Sequence, residues 1–295
     1  MEEALAHPDA CLQAVHEPRY LAFLASAWDE WLATGNEGDA FPSVWAIRGM
    51  RSDVIPDNFA ARLGLFSFDT GTPLTAGTWA AARAGADRPL SAAAWIASGE
   101  RSVFALTRPP GHHAGPSFFG GYCFLNNAAI AAQALRDRGA ARVAILDVDF
   151  HHGNGTQEIF YRRNDVLFAS IHGDPRTEYP FFLGYADEQG EGPGAGFNLN
   201  LPLPAKAAVA DWFTALETAL ARINGFAPEA LVVSLGVDAF AGDPISKFLL
   251  QTVDYQRLGE RLAKMGLPCL FVLEGGYAVA EMGANVAAVL EGFEG

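Results

Sequence analysis

The stretch ILDVDFHHGNGTQEIF, residues 145–160, begins as an apolar strand and ends in carboxylates, imidazoles and amides. An apolar run of this kind is typical of a strand that is covered on both faces. Asp147, Asp149 and His151 alternate along the chain, so they lie on one side of the strand where it leaves the sheet. Two carboxylates this close repel each other unless a cation or hydrogen-bond donors compensate them. The stretch therefore predicts a sheet whose strand end carries a charged site.

Short β-branched or aromatic runs alternate with helical stretches along the rest of the chain, which is the pattern of a parallel sheet with crossover helices. We expect strands at 102–107, 142–148, 165–171, 197–203, 230–236 and 268–274, and helices at 18–33, 75–87, 124–139, 207–223, 254–266 and near the C-terminus. Segments 35–73 and 172–196 are expected to be long loops, which are usually functional. The sequence predicts one α/β domain over residues 1–295, with three α/β/α layers around a mainly parallel sheet.

The composition narrows the classes of function. A net charge of −14, from 34 acidic and 20 basic residues, makes nucleic acid an unfavourable partner. The sequence has no run of about 18 apolar residues, so we expect no membrane span. The N-terminus, MEEALAHPDACLQ, lacks the basic and apolar regions of a signal peptide. Three cysteines, Cys11, Cys123 and Cys269, lie far apart and favour a reducing compartment. We therefore expect a cytoplasmic protein.

Polar groups follow the carboxyl ends of several predicted strands: RPPGHH (108–113), DFHHGN (149–154), His172, GVDAFAGD (236–243) and GGY (275–277). Ligands of open parallel sheets bind outside these ends, so we expect one crevice. Asp149, His151 and Asp238 would supply two carboxylates and an imidazole, leaving a coordination position for water, as in catalytic zinc sites. The alternative is a hydrogen-bonded polar cluster without an ion.

Three further features point into the same crevice. Neighbouring imidazoles at His112 and His113 follow a turn fixed by two prolines and a glycine, and they suit acid–base chemistry. Tyr277 follows two glycines that let the backbone approach a ligand, and its hydroxyl can donate to an oxyanion. The glycines of FGGYCF (119–124) indicate backbone close to substrate, with Tyr122 as an aromatic wall.

The segments RPPGHHAG, GGYCFLNNAAIAA, ILDVDFHHGNGTQ, SLGVDAFAGDP and LEGGY resemble the signature blocks of the histone deacetylase family, which has the arginase/deacetylase fold. The chain looks most like the bacterial acetylpolyamine amidohydrolases, a likeness that includes FDTGTPLTAGTW and HGDPRTEYPFFLGYADEQGEG and runs from about residue 14 to the C-terminus. The resemblance implies a homodimeric, metal-dependent enzyme that removes acetyl groups from small acetylated amines.

The resemblance also implies roles for individual residues. The zinc ligands would be Asp149, His151 and Asp238, with iron(II) as the alternative ion. His113 matches the general base and later acid, and His112 matches its electrostatic partner. The remaining matches are Asp147 for orienting His112, Asn154 for His113, and Tyr277 for polarising the acetyl carbonyl. A structural potassium ion is implied at Asp147, Asp149, His151, Ser170 and Ile171. Substrate contacts are expected at Gly121, Tyr122, Phe182 and Gly276.

Two departures from the family pattern stand out. Family members begin with an additional strand and loop before the VHEPRYL-like segment (15–21), so the sheet is expected to lack the family's first strand. Ala60 and Gly71 stand where the polyamine enzymes carry glutamates, which leaves Asp57 and Asp69 as the acids of that loop.

Other functions stay open. A protein acetyl-lysine deacetylase would use the same machinery. A dimanganese ureohydrolase needs additional bridging carboxylates, yet the next acid after Asp238 is Asp243. A non-catalytic binder of acetylated amines would not need His112, His113 and Tyr277 together.

Overall fold

The central sheet follows from the apolar strands. In the computed structural model, which describes residues 2–47 and 49–295, six parallel strands form one sheet in the order β1-β6-β5-β2-β3-β4. Their bounds are β1 Ser102–Ala105, β2 Val143–Asp147, β3 Val166–Gly173, β4 Asn198–Leu203, β5 Ala230–Leu235 and β6 Cys269–Leu273. Each lies within two residues of its predicted ends.

Helices connect the strands and cover both faces of the sheet. They are α1 Ala10–Gln13, α2 Pro18–Ala33, α3 Phe59–Leu65, α4 Thr78–Ala97, α5 Asn127–Asp137, α6 Asn154–Phe160, α7 Val209–Phe226, α8 Thr252–Ala263 and α9 Val279–Glu294. The sequence predicts α2 with its observed bounds. The helix expected at 75–87 instead continues to Ala97, because Ala92, Ala93 and Ile96 pack into the core beyond Pro89.

Alternate residues of each strand feed two separate hydrophobic clusters. Val143 and Ile145 pack with α2, α4 and α5 on one face, whereas Ala144 and Leu146 pack with α7, α8 and α9 on the other. Successive strand side chains point to opposite faces, so a strand that is apolar throughout must be covered on both sides. The three-layer α/β/α prediction is thereby confirmed.

The predicted long loops have different outcomes. The segment 35–73 is not loop throughout, because it contains α3, whose first turn is capped by the Asn58 side chain accepting from the Ala61 amide at 3.1 Å. Segment 172–196 is irregular after β3 ends at Gly173, apart from a short 3₁₀ turn at Gly192–Gly194. Helix α6 was not predicted, since it lies inside the polar end of the opening stretch.

The register of the strands brings their carboxyl ends level with one another. Asp147 at the end of β2 pairs with Ser170 on β3 and with Ser234 on β5. On the other side of β5, Leu235 pairs with Leu273 at the end of β6. The polar segments that follow these residues therefore start from one edge of the sheet.

β1 and β4 form the two edges of the sheet within the described residues. The lack of the family's first strand and the treatment of residues 1–295 as one domain stay predictions. No helix of the described residues is both long enough and apolar enough to cross a membrane.

Candidate active site

The strand ends of β2 and β5 bring together Asp149, His151 and Asp238, as the sequence predicts. One donor atom of each residue lies within 4.8 Å of the others. His151 Nδ1 is 2.9 Å from Asp238 Oδ2 and 3.3 Å from Asp149 Oδ1. The side chains of Asp149 and Asp238 are almost fully buried, and that of His151 is 12 % exposed. Two carboxylates and an imidazole that converge in a buried position are a donor set that fits a divalent ion such as Zn²⁺.

Burying the charges of this cluster costs free energy unless they are paired. Burial lowers the pKa of His151, but bonds to Asp149 and Asp238 outweigh burial and raise it to about 10. Burial and the charge of Asp149 together raise the pKa of Asp238. A cation bound by these three residues would compensate the two carboxylates and displace the proton from His151.

Glycines let the backbone pass close to Asp149. Gly275 N donates to Asp149 Oδ2 at 2.9 Å, and a Cβ on Gly275 would stand 2.6 Å from that oxygen. A Cβ on Gly236 would approach the same carboxylate to 2.1 Å. Larger residues at either position would displace Asp149.

His112 and His113 are neighbours with opposite environments. His112 Nδ1 lies 3.0 Å from Asp147 Oδ2, whereas His113 Nδ1 lies 2.7 Å from the amide oxygen of Asn154. The two rings are 4.0 Å apart and both are buried. The structure thus brings both of these pairs into contact, and their catalytic roles stay predictions.

The two imidazoles also differ in their charge. Burial opposes a charge on His112, but Asp149 and Asp147 outweigh it and raise the pKa of His112 to about 10. Burial, reinforced by the charges of His112 and His151, holds the pKa of His113 well below its ordinary value. At neutral pH the site therefore carries a protonated His112 beside a neutral His113.

Tyr277 lies in the segment 274–278 that joins β6 to α9, next to Tyr122, with their ring centroids 6.0 Å apart. Burial and the charges of Asp149 and Asp238 raise the pKa of Tyr277. Its hydroxyl therefore keeps its proton and remains a hydrogen-bond donor. A cavity of about 980 Å³ adjoins the site through Tyr122, Gly276 and Tyr277.

Gly121 and Tyr122 form a turn directly against His113. Gly121 has φ +54°, and a Cβ there would stand 2.2 Å from the His113 ring. Tyr122 has φ +66°, its amide donates to Thr72 Oγ1 at 2.9 Å, and 47 % of its surface is exposed. Phe182 is 88 % exposed. Substrate contacts at these positions stay predictions.

The residues expected around potassium adjoin the zinc-type cluster. Asp147 Oδ1 accepts from the Asp149 amide at 3.1 Å, and Ser170 Oγ bonds His172 Nδ1 at 2.8 Å. Ser170 and Ile171 are fully buried on β3. The potassium site itself stays a prediction.

Three acids to which the sequence assigns no role in the site, Glu274, Asp69 and Asp243, accept hydrogen bonds from segments that form it. Glu274 Oε2 accepts from the amides of Gly111 and His112 at 2.6 and 3.1 Å, and Ser234 Oγ donates to its other oxygen. Burial raises the pKa of Glu274 to about 7. The available signal was an acid that directly follows the buried β6 strand.

The second acid, Asp69, links two segments across the site entrance. Its Oδ2 accepts from the Gly121 amide at 2.7 Å and from the Tyr179 hydroxyl at 2.6 Å. Tyr179 packs edge-on against His113, with the ring centroids 5.1 Å apart. Tyr179 was missed because its position depends on how the 172–196 segment folds back over the strand ends. The third acid, Asp243, bonds the backbone at Tyr277.

Known proteins resemble this chain over almost its whole length. The family described as "Histone deacetylase domain" matches residues 2–293. Acetylpolyamine amidohydrolase 2 of Pseudomonas aeruginosa is 58 % identical over 284 residues, which cover 96 % of this chain and 82 % of that protein. Acetylpolyamine amidohydrolase of Mycoplana ramosa is 50 % identical over 281 residues, covering 95 % and 82 % respectively.

A solved structure shares the fold over nearly the whole chain. The crystal structure of acetylpolyamine aminohydrolase from Burkholderia pseudomallei superposes with a TM-score of 0.94 at 42 % identity, covering 99 % of this chain and 84 % of that one. The resemblance predicted from the motif segments is therefore confirmed, and the chain belongs to the histone deacetylase domain family.

Proposed function

We propose that this chain is a zinc-dependent amide hydrolase that removes acetyl groups from acetylated amines, with acetylpolyamines preferred over acetyl-lysine in proteins. The observation that carries the proposal is the pairing of a neutral His113 with a protonated His112 beside the donors Asp149, His151 and Asp238. A site that only bound an acetylated amine would need no such division of charge.

The relatives support both the reaction and the substrate class. The proteins from Pseudomonas aeruginosa and Mycoplana ramosa carry the name acetylpolyamine amidohydrolase, and they align with almost all of this chain. The acidic balance of the chain also favours cationic amines, because a net negative protein attracts them at long range.

Zinc, held by Asp149, His151 and Asp238, would lower the pKa of water and polarise the acetyl carbonyl. Iron(II) is the alternative ion for the same donors. A potassium ion held near Asp147, Asp149, His151, Ser170 and Ile171 would have a structural part. Asp147 ends β2, Asp149 and His151 follow it, Asp238 follows β5, and Ser170 and Ile171 lie within β3.

The protein's own groups would carry the protons. Asn154 accepts from His113 Nδ1, so the lone pair of Nε2 is free to take a proton from water. His112 stays protonated against Asp147 and stabilises the negative charge that develops nearby. Tyr277 would donate its hydroxyl hydrogen to the carbonyl oxygen as that oxygen becomes negative. His113, now protonated, would deliver its proton to the leaving amine.

The substrate chain would enter between the aromatic side chains of Tyr122, Tyr179 and Phe182, with the backbone of Gly121 and Gly276 close to the acetyl group. The ring of Tyr179 packs against His113, and the ring of Tyr122 lies near Tyr277. Of the acids considered for the amine end, Asp57 is exposed, whereas Asp69 already accepts from Gly121 and Tyr179.

Acetate release separates the candidate functions. Zinc-loaded protein would be offered N-acetylputrescine, N-acetylspermidine and an acetyl-lysine peptide. Higher kcat/KM for the polyamines supports the proposal, whereas preference for the peptide moves the function to a protein deacetylase. A His113→Ala variant should lose turnover by roughly 100-fold or more. Equal binding by this variant and the wild type, with no turnover by either, would identify a binder.

We also propose a homodimer. Exposed apolar side chains are concentrated in the segment before α3, at Phe41, Val44, Ile47, Met50, Val54 and Ile55. Surface apolar residues that cluster in this way are typical of association sites. Sedimentation velocity tests the proposal: a dimer is expected, and Val44→Asp with Ile47→Asp should shift the chain toward monomer.

A further inference from the structure

Tyr277 stands in a short connection whose backbone amides are bonded on both sides. Upstream of the tyrosine, Gly275 N donates to Asp149 Oδ2 at 2.9 Å, and Gly275 O accepts from Val237 N at 2.7 Å. Downstream, the amides of Tyr277 and Ala278 both donate to Asp243 Oδ2, at 2.7 and 3.2 Å. Asp243 therefore accepts a hydrogen bond from the backbone amide of the tyrosine itself.

Asp243 is itself fixed in the loop that carries Asp238. Its Oδ1 accepts from the Ile245 amide at 3.0 Å, and its own amide donates to Phe240 O at 3.0 Å. Asp243 is nearly buried, with 7 % of its surface exposed. A nearly buried carboxylate with both oxygens engaged leaves little freedom to the groups that it bonds.

The connection has few other means of holding its shape. Gly275 and Gly276 contribute no side chains, and α9 begins at Val279 without a side-chain cap from Ala278. Glycines allow the close approach to Asp149, but they also leave the backbone more conformational freedom than other residues do. The Asp243 carboxylate accepts hydrogen bonds from the amides just before α9, and it thus takes the place of a capping side chain.

We propose that Asp243 is a positioning residue for catalysis, which sets the place of the Tyr277 hydroxyl by bonding the amides of Tyr277 and Ala278. The inference rests on the function proposed for Tyr277 as a donor to the carbonyl oxygen. Displacing such a donor by about 1 Å costs on the order of 100-fold in rate, so a residue that only bonds its backbone has a large effect on turnover.

Asp243→Asn is the sharpest variant. Asparagine has the same size as aspartate, but one of its two terminal groups is an NH2 donor. Both oxygens of Asp243 accept from backbone amides, so in either orientation this NH2 would face another donor and one hydrogen bond would be lost. We expect kcat for acetate release to fall roughly 10- to 100-fold, with KM changed by less than about 3-fold. Tyr277→Phe should lower kcat about 100-fold.

The double variant distinguishes positioning from general damage. If Asp243 acts through the Tyr277 hydroxyl, Asp243→Asn lowers kcat by less than about 2-fold once Tyr277 is already Phe. Independent structural damage would instead multiply the two losses, and that outcome overturns the inference, as does wild-type kcat in Asp243→Asn. Metal content, measured by elemental analysis, should match the wild type because Asp238 is unchanged.

Asp165→Asn is a matched control. Asp165 is a partly buried carboxylate just before β3, at the opposite end of the sheet, and it accepts from Arg136 Nε at 2.8 Å. We expect it to lower the unfolding midpoint without changing kcat in either background. A kcat loss in this control equal to that of Asp243→Asn would count against a specific role for Asp243.

A second variant tests the same contact from its other side. Ala278 has φ −76°, close to the value that proline requires, so Ala278→Pro removes one donor to Asp243 without straining φ at residue 278. It should lower kcat roughly 3- to 10-fold, again only while Tyr277 is present. If Asp243→Asn does not fold, Ala278→Pro decides alone, and an unchanged kcat in Ala278→Pro would overturn the inference. Absence of acetate release by the wild type overturns the proposed function as well, whereas multiplied losses in an active enzyme overturn this inference alone.

Discussion

His113 Nδ1 lies 2.7 Å from the side-chain oxygen of Asn154. An amide oxygen accepts a hydrogen bond without adding a charge, so it fixes the tautomer of His113 while leaving the ring neutral. His112, 4.0 Å away, has the carboxylate of Asp147 as partner and keeps its proton. His112 is charged because Asp149 and Asp147 lie beside it, whereas His113 has an uncharged partner and is kept neutral by burial and by the charges of His112 and His151.

Replacing the amide by a carboxylate should remove that difference in charge. In Asn154→Asp the new charge raises the pKa of His113, so the base becomes protonated at neutral pH. In a plot of kcat/KM against pH, the fall in activity on the acidic side should move to higher pH by roughly one unit or more. Asn285→Asp, a buried amide on α9, is the control and should leave this fall at its wild-type pH. A fall at the wild-type pH in Asn154→Asp would contradict the assignment of His113 as the base.

Gly121→Ala should damage catalysis through His113. The left-handed backbone costs an alanine about 1 kcal/mol of folding free energy. In addition, the new Cβ would lie 2.2 Å from the His113 ring, so the ring must move. We expect kcat to fall about 100-fold. Gly266 has φ +67° with no atom within 4 Å, so Gly266→Ala carries the backbone cost alone. Equal kcat in both variants would show that the contact with His113 does not matter.

Tyr179→Phe should affect substrate binding more than turnover. The change removes the hydroxyl that donates to Asp69 and leaves the ring against His113. The loss of a largely buried hydrogen bond to a charged group costs about 2 kcal/mol and loosens the wall of the entrance. We expect KM to rise roughly 3- to 10-fold with kcat nearly unchanged. Tyr161→Phe, at the partly buried tyrosine that directly follows α6, is the control. A fall in kcat without a change in KM in Tyr179→Phe would contradict the expected role in binding.

The stability of the protein should decrease in acid because of His16. This buried residue bonds Gly115 O through Nδ1 at 2.8 Å and accepts from the Asn126 amide at Nε2, so it must be neutral. Burial lowers the pKa of His16 to about 4, whereas it is about 6.5 in the unfolded chain. Between these values only the unfolded chain takes up the proton, so the contribution is present above pH 6.5 and is lost as the pH falls to 4. The loss amounts to about 3 kcal/mol.

Urea unfolding at a series of pH values measures this loss. His16→Gln supplies a donor and an acceptor that do not titrate, so its unfolding free energy should fall less between pH 6.5 and 4. Identical pH slopes for the wild type and His16→Gln would contradict the assignment of a neutral His16.

Some parts of the molecule could be predicted from the sequence because they depend on local patterns. The apolar run ending at Asp147 indicates a strand covered on both faces, and the alternation to Asp149 and His151 puts the donors on one side. Other parts depend on contacts between distant segments. Pro89 does not end α4, because Ala92 and Ile96 pack into the core.

The same limit applies to the site. Motif segments carry the groups that we propose to act on substrate, and these segments also carry the family resemblance. The residues that hold those groups, Glu274, Asp69 and Asp243, act on backbone amides of other segments. An acid that bonds an amide more than thirty residues away leaves no periodic signal in the sequence, so it is found only when the chain is folded.

We propose that the cluster of Asp149, His151 and Asp238 holds an ion without which no acetyl group is removed. The most direct test of this proposal is acetate release from N-acetylputrescine by protein that has been depleted of metal with a chelator and then titrated with Zn²⁺. We predict no release after depletion, and a rate that recovers linearly until about one ion is bound per chain. Full turnover by protein that elemental analysis shows to be free of metal would contradict the account.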